Sequence, residues 1–111
     1  MPPVFPGGIF TGGSANITIG GAFTLNGTAF TSTSGILELD NVAVAFTTNS
    51  FVHNSGTVRL NIGGLPIITG ISPVFFTLEF VGKGNTYTIS SLGNITVLNS
   101  LNFTGTLFFI S

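Results

Sequence analysis

Turn-forming residues interrupt this chain roughly every 8 to 12 positions, a spacing that leaves room only for short strands between them. Gly7-Gly8, Gly12-Gly13, Gly20-Gly21, Asn26-Gly27 and Gly63-Gly64 mark such breaks, and 16 glycines and 5 prolines are spread over the 111 residues. Between the breaks stand Val, Ile, Thr and Phe, the residue types that suit a pleated, half-buried surface. No stretch free of turn residues shows the three-and-four apolar spacing of a helix. A chain of this length closes one core, so a single all-β domain is expected.

Individual strands can be read from alternation. Ala15 to Ile19 opens the series, and Asn26-Gly27 supplies the two positive-φ positions of a type I′ hairpin turn within Ala22 to Thr31. A second hairpin is expected between Ile36 to Leu39 and Val42 to Thr47 across Asp40-Asn41, and a third from Phe51 to His53 into Thr57 to Ile62 through Asn54-Ser55-Gly56. Pro66 to Thr69 reads as an edge strand or the start of one because of its proline. Val74 to Val81 is the longest run; Thr86 to Ser90, Ile95 to Leu98 and Gly105 to Ile110 complete the set. No fixed-period repeat stands out, which sets a solenoid aside. The expected architecture is a two-sheet antiparallel β-sandwich of jelly-roll type over residues 14–111, preceded by an extended N-terminal arm over residues 1–13.

Charge is the most unusual property of the composition. Two basic and three acidic side chains make 5% of the chain, against about 25% in ordinary soluble domains, and the formal net charge is -1. The apolar fraction of 43% is ordinary, but it is carried by 12 Phe with no Trp and one Tyr. Sheet edges without Lys or Glu offer little resistance to strand pairing, so self-association is the leading expectation. Two basic residues cannot neutralise a nucleic-acid backbone. No window reaches the apolar length of a membrane span, so membrane insertion is not expected. The absence of cysteine removes disulfides and thiolate chemistry. The N-terminal residues Met1 to Pro6 lack the basic and apolar regions of a secretory signal, which leaves either a leader removed earlier or synthesis in a cytosol.

Titratable groups are too few for concerted catalysis. His53 with Asp40 or Glu38 and a serine can be written as a triad, but no nucleophile-elbow motif accompanies them. Glu38 and Glu79 can be written as a glycosidase pair, although outward strand carboxylates are the more economical account. The glycine pairs do not precede Lys-Ser or Lys-Thr and are turns rather than phosphate loops. No catalytic residue, metal ligand or cofactor site is assigned. Asn16, Asn26, Asn94 and Asn102 each begin an Asn-X-Thr triplet and are candidate glycan acceptors in an exported protein.

The arm itself joins two apolar pairs, Val4-Phe5 and Ile9-Phe10, to Pro and Gly spacers. A disordered tail is normally polar, so these anchors are expected to dock, in cis over the domain or in trans on a neighbour. The final strand is apolar on both faces, and Leu107 and Phe109 join Val4, Phe5, Ile9 and Phe10 as candidate subunit-interface residues.

A flexible connector at Met1 to Gly13 before an uncharged all-β domain resembles the subunits of bacterial endospore appendages, and more broadly the surface filaments built by strand donation. The resemblance is one of architecture and composition over the whole chain; the cysteines of the appendage connectors have no counterpart here. It implies a jelly-roll subunit whose arm completes a neighbour's sheet. The resulting expectation is a non-enzymatic structural protein that forms homopolymeric fibres outside the cell or on a cell or spore surface. The alternative is a trimeric phage-fibre or capsid-decoration module.

Overall fold

The structure, a computed structural model, describes residues 4–6, 9–26, 29–46, 51–64, 67–92 and 95–110. Among them every regular element is a strand: β1 (Val4–Pro6), β2 (Ile9–Thr11), β3 (Ile17–Ile19), β4 (Phe23–Asn26), β5 (Ala29–Thr31), β6 (Ile36–Leu39) and β7 (Ala43–Phe46). There follow β8 (Phe51–Val52), β9 (Thr57–Leu60), β10 (Ile67–Ile71), β11 (Val74–Val81), β12 (Asn85–Leu92), β13 (Thr96–Thr104) and β14 (Leu107–Ile110). Sheet A has six strands in the order β1-β4-β7-β10-β12-β14, sheet C five in the order β13-β11-β9-β6-β3, and sheet B three in the order β2-β5-β8.

The paired strands are parallel in all three sheets. Parallel neighbours cannot be joined by a tight turn, so the chain must travel around the molecule before returning beside itself. It does so as a β-solenoid: β1, β2 and β3 make one coil, β4, β5 and β6 the next, β7, β8 and β9 a third. β10 with β11 and β12 with β13 make two further coils in which the described residues form no sheet B strand, and β14 starts another.

The antiparallel jelly-roll sandwich is therefore corrected to a parallel solenoid. The three expected hairpins are corners between sheets: β4 and β5, β6 and β7, and β8 and β9 each fall in different sheets. Asn54 and Ser55 adopt φ of 52° and 55°, but a left-handed residue reports only that the chain turns. Gly27, central to the first expected hairpin, lies outside the described residues. Alternation was equally ambiguous. Buried parallel sheets usually show unbroken apolar runs, but a solenoid wets the outer face of each strand, so β6 and β9 alternate half-buried and buried positions like antiparallel strands.

Stacking places like residues above one another. Leu37, Val58, Leu78 and Leu101 share one inward column, and Ile19, Leu39, Leu60, Phe80 and Phe103 another. Along sheet B, Phe10 stacks on Phe30 with centroids 4.6 Å apart, and Phe30 on Phe51 at 5.9 Å. Where sheet B ends, Phe75 of β11 takes the next place, 5.5 Å from Phe51. Each such side chain, when buried, contributes about 1.5 to 3 kcal/mol by leaving water. Thr33 is buried at the corner before β6, where its hydroxyl donates to the Ala15 carbonyl and accepts from the Gly35 amide at 3.1 Å. Gly12 and Gly56 pack against it so closely that a Cβ would lie 2.6 Å from the Thr33 nitrogen and 2.0 Å from its oxygen respectively.

The residues expected to form an arm are built into this chain's first coil. Val4 and Phe5 pair with Thr24 and Leu25, and Ile9 and Phe10 with Ala29 and Phe30. The remainder of that segment, residues 1–3 and 7–8, lies outside the described residues.

Candidate functional site

The outer face of sheet C carries a single charged row. Register sets Thr18, Glu38, Arg59, Glu79 and Asn102 side by side on consecutive strands. The Arg59 guanidinium donates through Nε to Glu79 Oε1 at 2.9 Å and lies 3.4 Å from Glu38 Oε1 through an Nη1 donor. The Glu79 bond raises the Arg59 pKa above its ordinary value, against the opposing effect of desolvation. Both carboxylates are thus committed to one cation rather than facing each other across a cleft. His53 is engaged elsewhere: its Nδ1 accepts from the Ser55 amide at 2.8 Å, and its ring lies 5.6 Å from that of Phe76. Among the described residues no group of three or more His, Cys, Asp or Glu is placed to hold a metal ion.

A buried polar corner lies between the third and fifth coils. Tyr87 is fully buried, and its hydroxyl lies 3.0 Å from the carbonyls of Leu60 and Val81 and 3.3 Å from that of Ile62. Asn85 donates to the Ile62 carbonyl at 2.7 Å and accepts from the Lys83 amide at 2.7 Å. Burial raises the Tyr87 pKa above its usual 10.0, opposed by hydrogen bonds from the Ile62 backbone and Asn85. These groups satisfy carbonyls that leave the strand ladder, a structural task.

The two ends of sheet C differ from its middle. β3 and β13 are its edges, and neither has a charged residue; Glu38, Arg59 and Glu79 stand on the three strands between them. On β13, Leu98, Leu101 and Phe103 are 59%, 49% and 53% exposed. Leu101 and Phe103 occupy inward columns whose members on β6, β9 and β11 are buried, so their exposure comes from their position at the edge and not from their orientation.

The sequence-derived interface residues are divided between the ends of the stack. Val4 and Phe5 lie on β1 and Ile9 and Phe10 on β2; Phe10 packs on Phe30, while Ile9 is 87% exposed. Leu107 and Phe109 lie on β14 in register with Asn85 and Tyr87. Leu98, Leu101 and Phe103 were missed. Leu101 could have been found by following the column Leu37, Val58, Leu78 along the sequence. Of the candidate glycan acceptors, Asn16 accepts from the Ile36 amide at 2.9 Å and Asn102 from the Ser100 hydroxyl at 2.7 Å; both side chains are exposed. Asn26 ends β4, and Asn94 lies outside the described residues.

Comparisons with protein-family models, curated proteins and solved structures return no match to this chain. Among the described residues no helix is long and apolar enough to cross a membrane.

Proposed function

We propose that this chain is a structural subunit that self-assembles into a fibre outside the cell or on a cell or spore surface. The observation that carries the proposal is the placement of charge: the strands bearing charged residues lie inside sheet C, while β3, β13, β1 and β14, the edge strands of sheets C and A, have none. Solvent-facing edges are normally guarded by Lys, Glu or Pro against pairing with another chain. Here the charged guards stand inside the sheet and the edge strands keep one proline, Pro6 on β1, while the half-exposed Leu101 and Phe103 add apolar area at the β13 edge. With the described arm strands engaged in the first coil, the open edges take over the role expected of the arm.

Electron microscopy of concentrated protein tests the proposal, with fibres as the expected result. Because the edges are uncharged, the fibres should persist in molar sodium chloride, where the Debye length falls to about 3 Å. Compact trimers would favour a phage-fibre or capsid-decoration module instead, and single particles at all concentrations would overturn both. Antibody labelling of intact against lysed cells tests the surface location.

A further inference from the structure

We propose that the outer face on the sheet B side of the solenoid carries a binding stripe for a linear, uncharged glycan. The stripe lies along a side of the stack and not at an end, so its occupancy does not depend on the fibre reading.

Register builds the stripe. Thr11, Thr31 and Val52 are aligned on β2, β5 and β8, each one residue after a phenylalanine of the inward stack. Phe75 continues that stack on β11 and pairs with Val97 on β13, so Phe76 and Leu98 continue the outward row beside them. Five positions, Thr11, Thr31, Val52, Phe76 and Leu98, therefore run along the solenoid axis. At about 4.8 Å per strand the row spans roughly 19 Å, the length of a few pyranose rings. Val52 is 53% and Leu98 59% exposed, and Phe76 is half-buried. Leu98 differs from Leu101 and Phe103 because it points outward, so its exposure belongs to the face and not to the sheet edge.

Polar groups border this apolar floor. The His53 ring lies 5.6 Å from that of Phe76, inclined by 31°. Its Nδ1 accepts from the Ser55 amide, which places the proton of the neutral ring on Nε2 as a donor. On the far side β13 holds an extra residue where its register with β11 shifts between Phe75 and Thr77, and the resulting bulge re-aims the side chains around it. There the Asn99 amide donates to Thr77 Oγ1 at 3.1 Å, and its oxygen is an acceptor on an exposed side chain. Neither the row nor these flanking residues carry a charge.

A pyranose presents an apolar C–H face bordered by hydroxyls that both donate and accept. The floor of Val52, Phe76 and Leu98, with imidazole, amide and hydroxyl groups at its margin, matches that pattern. A uronate or phosphorylated glycan would meet no cation here. An extended peptide is served less well, since it binds best by pairing with main-chain groups. On this face those groups are used in the ladders, as on β5 between β2 and β8 and on β11 between β9 and β13.

Calorimetric titration of the full chain with cellohexaose, laminarihexaose and maltohexaose tests the proposal, with hexagalacturonic acid as the charged control. At least one neutral hexasaccharide should bind with a Kd on the order of 1 mM, as suits a shallow site that covers one face of its ligand, and the charged one should not bind. Phe76→Ala and Leu98→Ser, each shown folded by its thermal transition, should weaken binding about tenfold, whereas Phe76→Tyr keeps the ring and should retain it. Glu79→Gln, on the outer row of sheet C, should leave affinity unchanged. Failure of all three neutral hexasaccharides to bind wild type would overturn the proposal, as would wild-type affinity in folded Phe76→Ala and Leu98→Ser. Equal binding of hexagalacturonic acid, or tighter binding of an uncharged Thr-Val peptide than of any hexasaccharide, would overturn it as well.

Discussion

The first three coils and the last two solve the same packing problem with different cross-sections. The early coils are three-sided, with strands of two to four residues and a corner containing Gly12, Thr33 or Gly56. The later coils are two-sided, with strands reaching eight and nine residues in β11, β12 and β13 and no sheet B strand among the described residues. Burial follows position in the stack instead, since Phe75, Phe80 and Tyr87 of the later coils are buried as well. Phe23, Phe30 and Phe46 in the early coils are essentially inaccessible, whereas Phe103 on the last strand of sheet C is half exposed. The inner strands are stabilised from within, whereas β13, at the edge of sheet C, keeps apolar area exposed.

The sharpest way to break that comparison is to truncate one residue type in both regions. Phe30→Ala removes a ring that contacts those of Phe10, Phe23 and Phe51, and should cost about 3 to 5 kcal/mol in chemical denaturation. Phe103→Ala loses stacking on Phe80 at 5.8 Å from a half-exposed site, and in dilute monomer should cost less than half as much. Equal losses would mean that the two regions are equally packed.

Tyr87 joins the regions, because its hydroxyl on β12 reaches carbonyls at the end of β9 and of β11. Tyr87→Phe leaves buried carbonyls without that donor and should cost about 1 to 3 kcal/mol. The pH dependence has a definite sign. With its pKa raised in the folded state, Tyr87 contributes stability that is complete below the unfolded value of 10.0 and is lost as pH rises through the folded value. The alkaline fall in melting temperature should therefore be shallower in Tyr87→Phe than in wild type. The smallest effect is expected on the outer row. Arg59→Gln breaks a partly exposed bridge to two carboxylates and should change stability by about 0 to 1 kcal/mol, less at high salt.

Strand positions were legible in the sequence to the extent that local chemistry sets them. Ile36 to Leu39 and Val74 to Val81 were recognised at their observed bounds, as β6 and β11. What each strand pairs with was not legible, because the repeat that specifies it is irregular. Phe10, Phe30 and Phe51 begin comparable segments with Ser14, Ser34 and Ser55 four residues later, yet the intervals differ by one residue and Leu, Val, Ile and Phe substitute freely along the columns. In the fourth coil that corner is missing, and β11 runs through its place as one strand whose register with β13 shifts between Phe75 and Thr77. A one-sequence reading sees turns and alternation, which an antiparallel hairpin and a solenoid corner share; only the long-range register separates them. The edge residues of β13 escaped notice for the same reason, since Leu101 and Phe103 become an exposed seam only once their columns are known.

The missing corner has a mechanical consequence. The rise from coil to coil is set by main-chain hydrogen bonding at about 4.8 Å, whereas the girth of each coil is set by whatever bridges its strands. Residues added or deleted at a corner alter the perimeter and leave the pitch untouched, as the passage from three sides to two demonstrates. One residue inserted inside a strand would invert every side chain beyond it. Tolerance to insertion should therefore be periodic along the chain, and a filament of such coils would keep its axial spacing while varying in thickness.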